Sequence, residues 1–184
     1  GAQLNRFSEI LADNRELPEN FTEDMIMKVA SPNIMNMLAR SVLALYTYDP
    51  RPDDYSIENV MRQSIELIAR MPSIMAAAYQ VKKRVYDGRS MYLHNPNPEF
   101  STAQNILRML RSDKQFTEEE AHLLDLCLTL HSEHGGGNCS TFAVRVLTSA
   151  QTDTYSAIAA GIGALKGPRH GGANHKVIEQ LEYL

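Results

Sequence analysis

Cysteine is scarce in this sequence, occurring only as Cys127 and Cys139. Two unpatterned cysteines argue against a disulfide framework or a four-cysteine zinc site. Long apolar runs are missing, since none approaches the roughly 20 residues of a membrane-spanning helix. The opening Gly1-Ala2-Gln3-Leu4-Asn5-Arg6 lacks the charged-then-apolar order of a signal peptide. No membrane partner is expected, and a reducing cytoplasm is the expected location, with a mitochondrial matrix also compatible. Charge of one sign is not in excess: the net charge is -4 at pH 7. Lys and Arg are dispersed without a basic stripe, so no nucleic-acid partner is expected either.

Alternation at every second residue, the mark of a half-buried strand, is also missing. Apolar residues recur at three and four, which predicts an all-α fold. Ile34, Leu38, Val42 and Leu45 form one face. Ile57, Val60, Met61, Ile65 and Ile68 form another, which Pro72 should break or kink. Ser101 with Gln104, and Thr117 with Glu120, read as capping boxes, each side chain satisfying an amide that the first helical turn leaves unpaired. Residues 48–54 and 95–98 read as loops. Leu123, Leu124, Cys127, Leu128 and Leu130 make residues 117–131 too apolar for a surface helix, so this element is expected to be buried. The nine methionines read as gap-filling core. No repeat or linker divides the 184 residues, which read as one helical domain spanning residues 1–184.

Chemistry concentrates between residues 131 and 174. His134 and His170 each stand where a helical pattern breaks into a glycine-rich turn, and such turns let backbone and side chain approach a ligand closely. A neutral imidazole at His170 could donate a hydrogen bond to a carbonyl that is becoming an enol. On the residues alone, a loop histidine satisfied by nearby carbonyls is an equally good account of His170. Asn138 and Ser140 read most simply as helix N-cap residues. His131 and His134, with His122 upstream, raise a metal site. The His-Glu-x-x-His pattern is absent and no third ligand has a defined spacing, so no metal is assigned. Lys166 and Arg169 flank Gly167, but no Gly-x-x-x-x-Gly-Lys-Ser/Thr loop accompanies them.

Two blocks together are specific. Ser132, Glu133 and His134 are followed by Asn138 and Ser140, and then by Gly167, Pro168, His170, Gly171, Ala173 and Asn174. This order and spacing closely resembles the citrate synthase family. A weaker resemblance continues upstream through residues 95–101 and the helix after them. The resemblance implies an acyltransferase that condenses acetyl-CoA with oxaloacetate to give citrate and CoA, both starting compounds being substrates, with no cofactor. It implies that His170 is catalytic, that Ser140 orients it, and that His134 binds the dicarboxylate with Asn138 beside it. It implies a homodimer too, for which the small-residue stretch 157–164, with Gly161 and Gly163, suits close helix contact.

In the family a Gly-x-Gly-His motif, a catalytic aspartate and several arginines come later than the matching stretch. The resemblance therefore implies the N-terminal, mainly large-domain portion of such an enzyme, with the small domain starting from about residue 170, and inactive alone. Residues 174–184 would then expose Val177, Ile178, Leu181 and Leu184 unless a partner covers them. A 2-methylcitrate synthase using propionyl-CoA carries the same motifs, since one methylene shifts discrimination by only about 1–3 kcal/mol. A non-catalytic helical dimerisation module is the alternative from another class.

Overall fold

The computed structural model describes residues 1–133 and 135–183, with Asn174 described by its backbone alone. Helix accounts for 69% of the described residues and no strand occurs among them, as the periodicity predicts. In chain order the α-helices are α1 (Ala2–Asp13), α2 (Ile34–Leu45), α3 (Ile57–Val85), α4 (Thr102–Leu110), α5 (Glu118–His131), α6 (Cys139–Ser149), α7 (Thr154–Lys166), α8 (Pro168–Gly171) and α9 (Ala173–Tyr183). A π-helical turn, Thr22–Met27, precedes α2, and a 3-10 turn, Tyr46–Tyr48, follows it. Among the described residues, no helix is long and apolar enough to cross a membrane.

The core is built where α2 meets α3 and α7. Met37, Leu38, Val42 and Leu45 of α2 pack with Phe21, Ile26, Leu67, Ile74, Val81 and Tyr155 in one buried cluster. The side chain of Asn33 accepts from the Asn36 amide and starts α2 in the register that turns this face inward. Both expected capping boxes are formed, at Ser101 with Gln104 and at Thr117 with Glu120.

Two expectations need correction and a third is narrowed. Of the break or kink expected at Pro72, the break does not occur, because α3 is continuous from Ile57 to Val85. A proline in a helix interior costs about 3 kcal/mol. Burying each of Leu67, Ile74 and Val81 on either side returns roughly 1.5–3 kcal/mol, so packing outweighs the lost hydrogen bond. The face of α3 expected to pack inward points outward instead: Ile57 is 85% exposed, Met61 58% and Ile68 56%. The buried side of that half is polar, with Asn59 and Gln63 each only 1% exposed. Finally, α5 is not a buried helix, because only Ala121 is enclosed and Leu130 is 77% exposed. Leu123, Leu126 and Leu128 are exposed as well. The expected exposure of Val177, Ile178 and Leu181 on α9 is observed, and Leu184 lies outside the described residues.

Polar burial on α3 is explained by Asp49. Its carboxylate accepts from the Tyr155 hydroxyl at 2.7 Å, Arg62 Nη2 at 2.7 Å, Gln63 Nε2 at 2.9 Å and the Arg51 amide at 2.8 Å. The Gln63 side-chain oxygen in turn accepts from the Thr154 hydroxyl at 2.6 Å, and Asn59 donates to the carbonyls of Arg51 and Asp54. Burial alone would raise the Asp49 pKa, but the bonds from Tyr155, Arg51, Gln63 and Arg62 overcome it and hold the group at about 2. Burial, then the bond to Asp49, pushes the Tyr155 phenol upward.

A carboxylate whose pKa is depressed in the fold stabilises the fold above its unfolded pKa and stops doing so as pH falls through the folded one. The Asp49 contribution is therefore complete above about pH 4 and lost toward pH 2. Replacing Tyr155 with Phe should cost roughly 1–3 kcal/mol at neutral pH, since it strips a donor from a buried anion. Asp49→Asn should cost at least as much and flatten the stability profile between pH 4 and 2, measured by urea unfolding across that range. An unchanged profile would show that the Asp49 cluster carries no stability.

Candidate active site

His170 reaches its place through a short, tightly folded relay. Helix α7 ends at Gly167, and α8 begins at once with Pro168, whose fixed φ suits a first helical position. The amides of His170 and Gly171 both donate to the Gly167 carbonyl, at 3.0 and 2.9 Å. Position 171 admits no side chain, because a Cβ there would collide with the Leu165 carbonyl oxygen. The turn is consequently compact, and the half-buried His170 ring projects toward α6.

Ser140 lies in the first turn of α6. Its hydroxyl and His170 Nε2 are hydrogen-bonded at 2.7 Å across 30 residues of sequence. Helices α6 and α7 pack closely enough for this because Gly161 has no side chain: a Cβ there would stand 2.8 Å from Val144 Cγ2. The small residues of 157–164 thus serve at least in part a contact within the chain. Asn138 is the N-cap of α6. Its side-chain oxygen accepts from the Thr141 amide at 2.9 Å, and its amide group donates to the Gly135 carbonyl and the Thr141 hydroxyl. Gly135 has a φ of 68°, a left-handed conformation that glycine adopts without strain, and its amide donates to Glu133 at 2.5 Å.

These elements surround a cavity of about 440 Å³ lined by Ser140, His170, Asn138, Glu133 and Arg145 among others. The structure brings together three of the four residues singled out in the sequence, Ser140, Asn138 and His170. The fourth, His134, lies outside the described residues. Arg145 escapes sequence reasoning, since a lone arginine on a helix is usually a solvated one. The only hint would have been the glycine run that faces it. A cavity of about 490 Å³ lies elsewhere, between the π-turn and the middle of α3, but it contains no residue of the two motif blocks. Among the described residues no three His, Cys, Asp or Glu side chains gather as a metal site would require. His131 is turned back on its own helix, with Nδ1 against the Cys127 carbonyl at 2.7 Å.

The family model described as the citrate synthase C-terminal domain matches residues 1–184. The chain belongs to the citrate synthase family. It is 37% identical over 188 residues to the citrate synthase of Acidithiobacillus ferridurans, covering 100% of this chain and 47% of that one. It is 34% identical over 187 residues to that of Haloferax volcanii, covering 99% and 47%. The crystal structure of citrate synthase from Pyrobaculum aerophilum superposes with a TM-score of 0.82 at 30% identity, covering 96% of this chain and 44% of that one. The chain thus spans about half the length of the curated relatives it matches.

If the Ser140 hydroxyl holds the imidazole, Ser140→Ala should shift the ring nitrogen resonances of His170 and change its tautomer balance. The cost in stability should be small, about 1 kcal/mol. Ring signals of His170 identical in the two proteins would show that the bond is not made in solution.

Proposed function

We propose that this chain carries the enol-stabilising part of a citrate-forming active site, taking acetyl-CoA and oxaloacetate as substrates and using no cofactor. The observation that carries the reading is the 2.7 Å contact between Ser140 and His170, which joins the two motif blocks in one cavity. Ser140 donates to Nε2, which leaves the single proton of a neutral ring on Nδ1. That N–H then donates to the thioester carbonyl oxygen of acetyl-CoA. As a carboxylate removes a methyl proton, charge builds on this oxygen, and a fixed donor strengthens its bond most in that transition state. The enol carbon attacks the ketone carbon of oxaloacetate, and hydrolysis of the resulting citryl-CoA releases citrate and CoA. His134 would bind oxaloacetate beside Asn138.

The family resemblance assigns the proton-abstracting aspartate, a second histidine and substrate-binding arginines to sequence beyond these 184 residues. Of the carboxylates after His170, Glu179 is engaged by Lys176 at 2.7 Å on α9, and Glu182 lies further along the same helix. We therefore read residues 1–184 as mainly large domain, with the small domain starting near 170, and as inactive by themselves. The reading places the protein in the cytoplasm as a homodimer, for which Ile57, Met61 and Ile68 offer an exposed apolar face.

The purified 184-residue chain should release no CoA from acetyl-CoA and oxaloacetate above background. Fusion to the remaining half of the Acidithiobacillus ferridurans relative should restore turnover, with acetyl-CoA preferred to propionyl-CoA. In that fusion His170→Ala should depress kcat by roughly 10²–10⁴, the range of a positioned proton donor, with the fold intact. Turnover by the chain alone would overturn the inventory of required residues. Turnover in the fusion that is indifferent to His170→Ala would make this histidine structural, and preference for propionyl-CoA would make the enzyme a 2-methylcitrate synthase.

A further inference from the structure

The glycine run that opens the cavity is pressed against a guanidinium. A Cβ on Gly136 would stand 3.2 Å from both terminal nitrogens of Arg145 and 3.4 Å from the carbon between them. Those distances are tighter than side chains ordinarily accept, so the forked end of Arg145 occupies the room that a side chain at 136 would need. Arg145 comes from the same face of α6 as Asn138 and Thr141, three and seven residues along from the cap, which is the spacing that stacks side chains on one side of a helix. All three line the cavity that holds Ser140 and His170.

Charge makes the arrangement specific. Among the described residues, Arg145 is the one lysine or arginine lining this cavity, and it forms no ion pair. The one carboxylate in the lining, Glu133, is engaged by the Gly135 amide. A planar guanidinium offers parallel N–H donors that match the two oxygens of a carboxylate, in shorter and stronger bonds than neutral donors make. We infer that Arg145 receives one carboxylate of the dicarboxylate substrate, and that Gly136 lacks a side chain so that the guanidinium can rest against the turn. The inference rests on the proposed reaction, whose acceptor is a four-carbon dicarboxylate, and assigns to this chain a substrate contact that the motif blocks do not include.

The test uses the whole 184-residue chain and malate, an unreactive four-carbon dicarboxylate, titrated into the tens of millimolar while amide and Arg Nε signals are followed by NMR. The Gly136 amide and Arg145 Nε should move together with one Kd. Arg145→Gln should weaken that Kd at least tenfold, and Arg145→Lys should weaken it less. Gly136→Ala, which keeps the charge but displaces the fork, should weaken it severalfold. Unchanged signals over the whole range, an equal response to chloride at matched ionic strength, or a Kd indifferent to Arg145→Gln would overturn the inference. So would a stronger response to adenosine 3′,5′-bisphosphate, which would assign the guanidinium to the phosphates of the thioester carrier. The His170 ring signals report separately: they should keep their position in Arg145→Gln and shift in Ser140→Ala. Failure of the Ser140 arm alone therefore strikes the proposed reaction and not the anion contact.

Discussion

Asp49 is a carboxylate with a solvent exposure of only 1%, and the arrangement of the helices turns on how that charge is met. A buried anion is expensive unless nearly every lone pair is engaged. Its donors come from the loop that follows α2, from the first half of α3 and from the start of α7, three segments more than a hundred residues apart at the extremes. Satisfying one charge thereby fixes where α7 crosses α2 and α3. Because α7 leads directly into α8, the same anchor sets the base from which His170 projects. An apolar core could hold these helices together, but apolar contact is non-directional and would tolerate a sliding α7. The hydrogen bonds to Asp49 do not.

The same device recurs along α3 and α4. Gln80 is fully buried, donates to the Leu110 carbonyl and accepts from the Tyr92 amide, pinning the irregular segment between the two helices. Asn105 accepts from the Asn97 amide and donates to carbonyls of the 97–101 turn, and Arg15 donates to two of the same carbonyls from the other side. Loops carry backbone groups that regular structure cannot satisfy, and here buried amide side chains satisfy them from neighbouring helices. This explains what the sequence showed and what it hid. Helical period and caps are local, so the all-α class, α2 and both capping boxes were legible. Which face of α3 turns inward was not, because a hydrophobicity pattern has no way to score Asn59 and Gln63 as interior residues. Their partners, the carbonyls of residues 51 and 54 and the carboxylate of Asp49, come from a loop that has no periodicity.

At the site, legibility followed the turns. Glycine and proline mark irregular backbone whatever the tertiary context, so residues 135–138 and 167–171 could be located directly. That Ser140 and His170 meet depends on a helix-packing distance set by Gly161 against Val144, a pairing across 17 residues that local pattern does not contain. Asn138 illustrates a different limit. A cap residue and a ligand-binding residue look identical in sequence, and in the structure both the oxygen and the amide of Asn138 are already engaged in holding the turn.

Exposed apolar side chains lie close in sequence to the segments that line this cavity. Leu130 lies in the last turn of α5 before the glycine run, Phe142 lies in the first turns of α6 beyond Ser140, and Ile178 and Leu181 lie on α9, which follows His170 in the chain. Covering each of these would contribute roughly 1.5–3 kcal/mol. The packing of α9 is against α8, so it is held near the site by the same short segment that carries His170. A polypeptide that covered this apolar set together with the residues lining the cavity would also close it. Closure excludes water, and in a drier cavity the Ser140–His170 bond and the charge of Arg145 both act in a lower dielectric, where each is stronger. Apolar burial outside the cavity and electrostatic stabilisation inside it would then be one event, which is why residues remote from the chemistry in sequence can govern it.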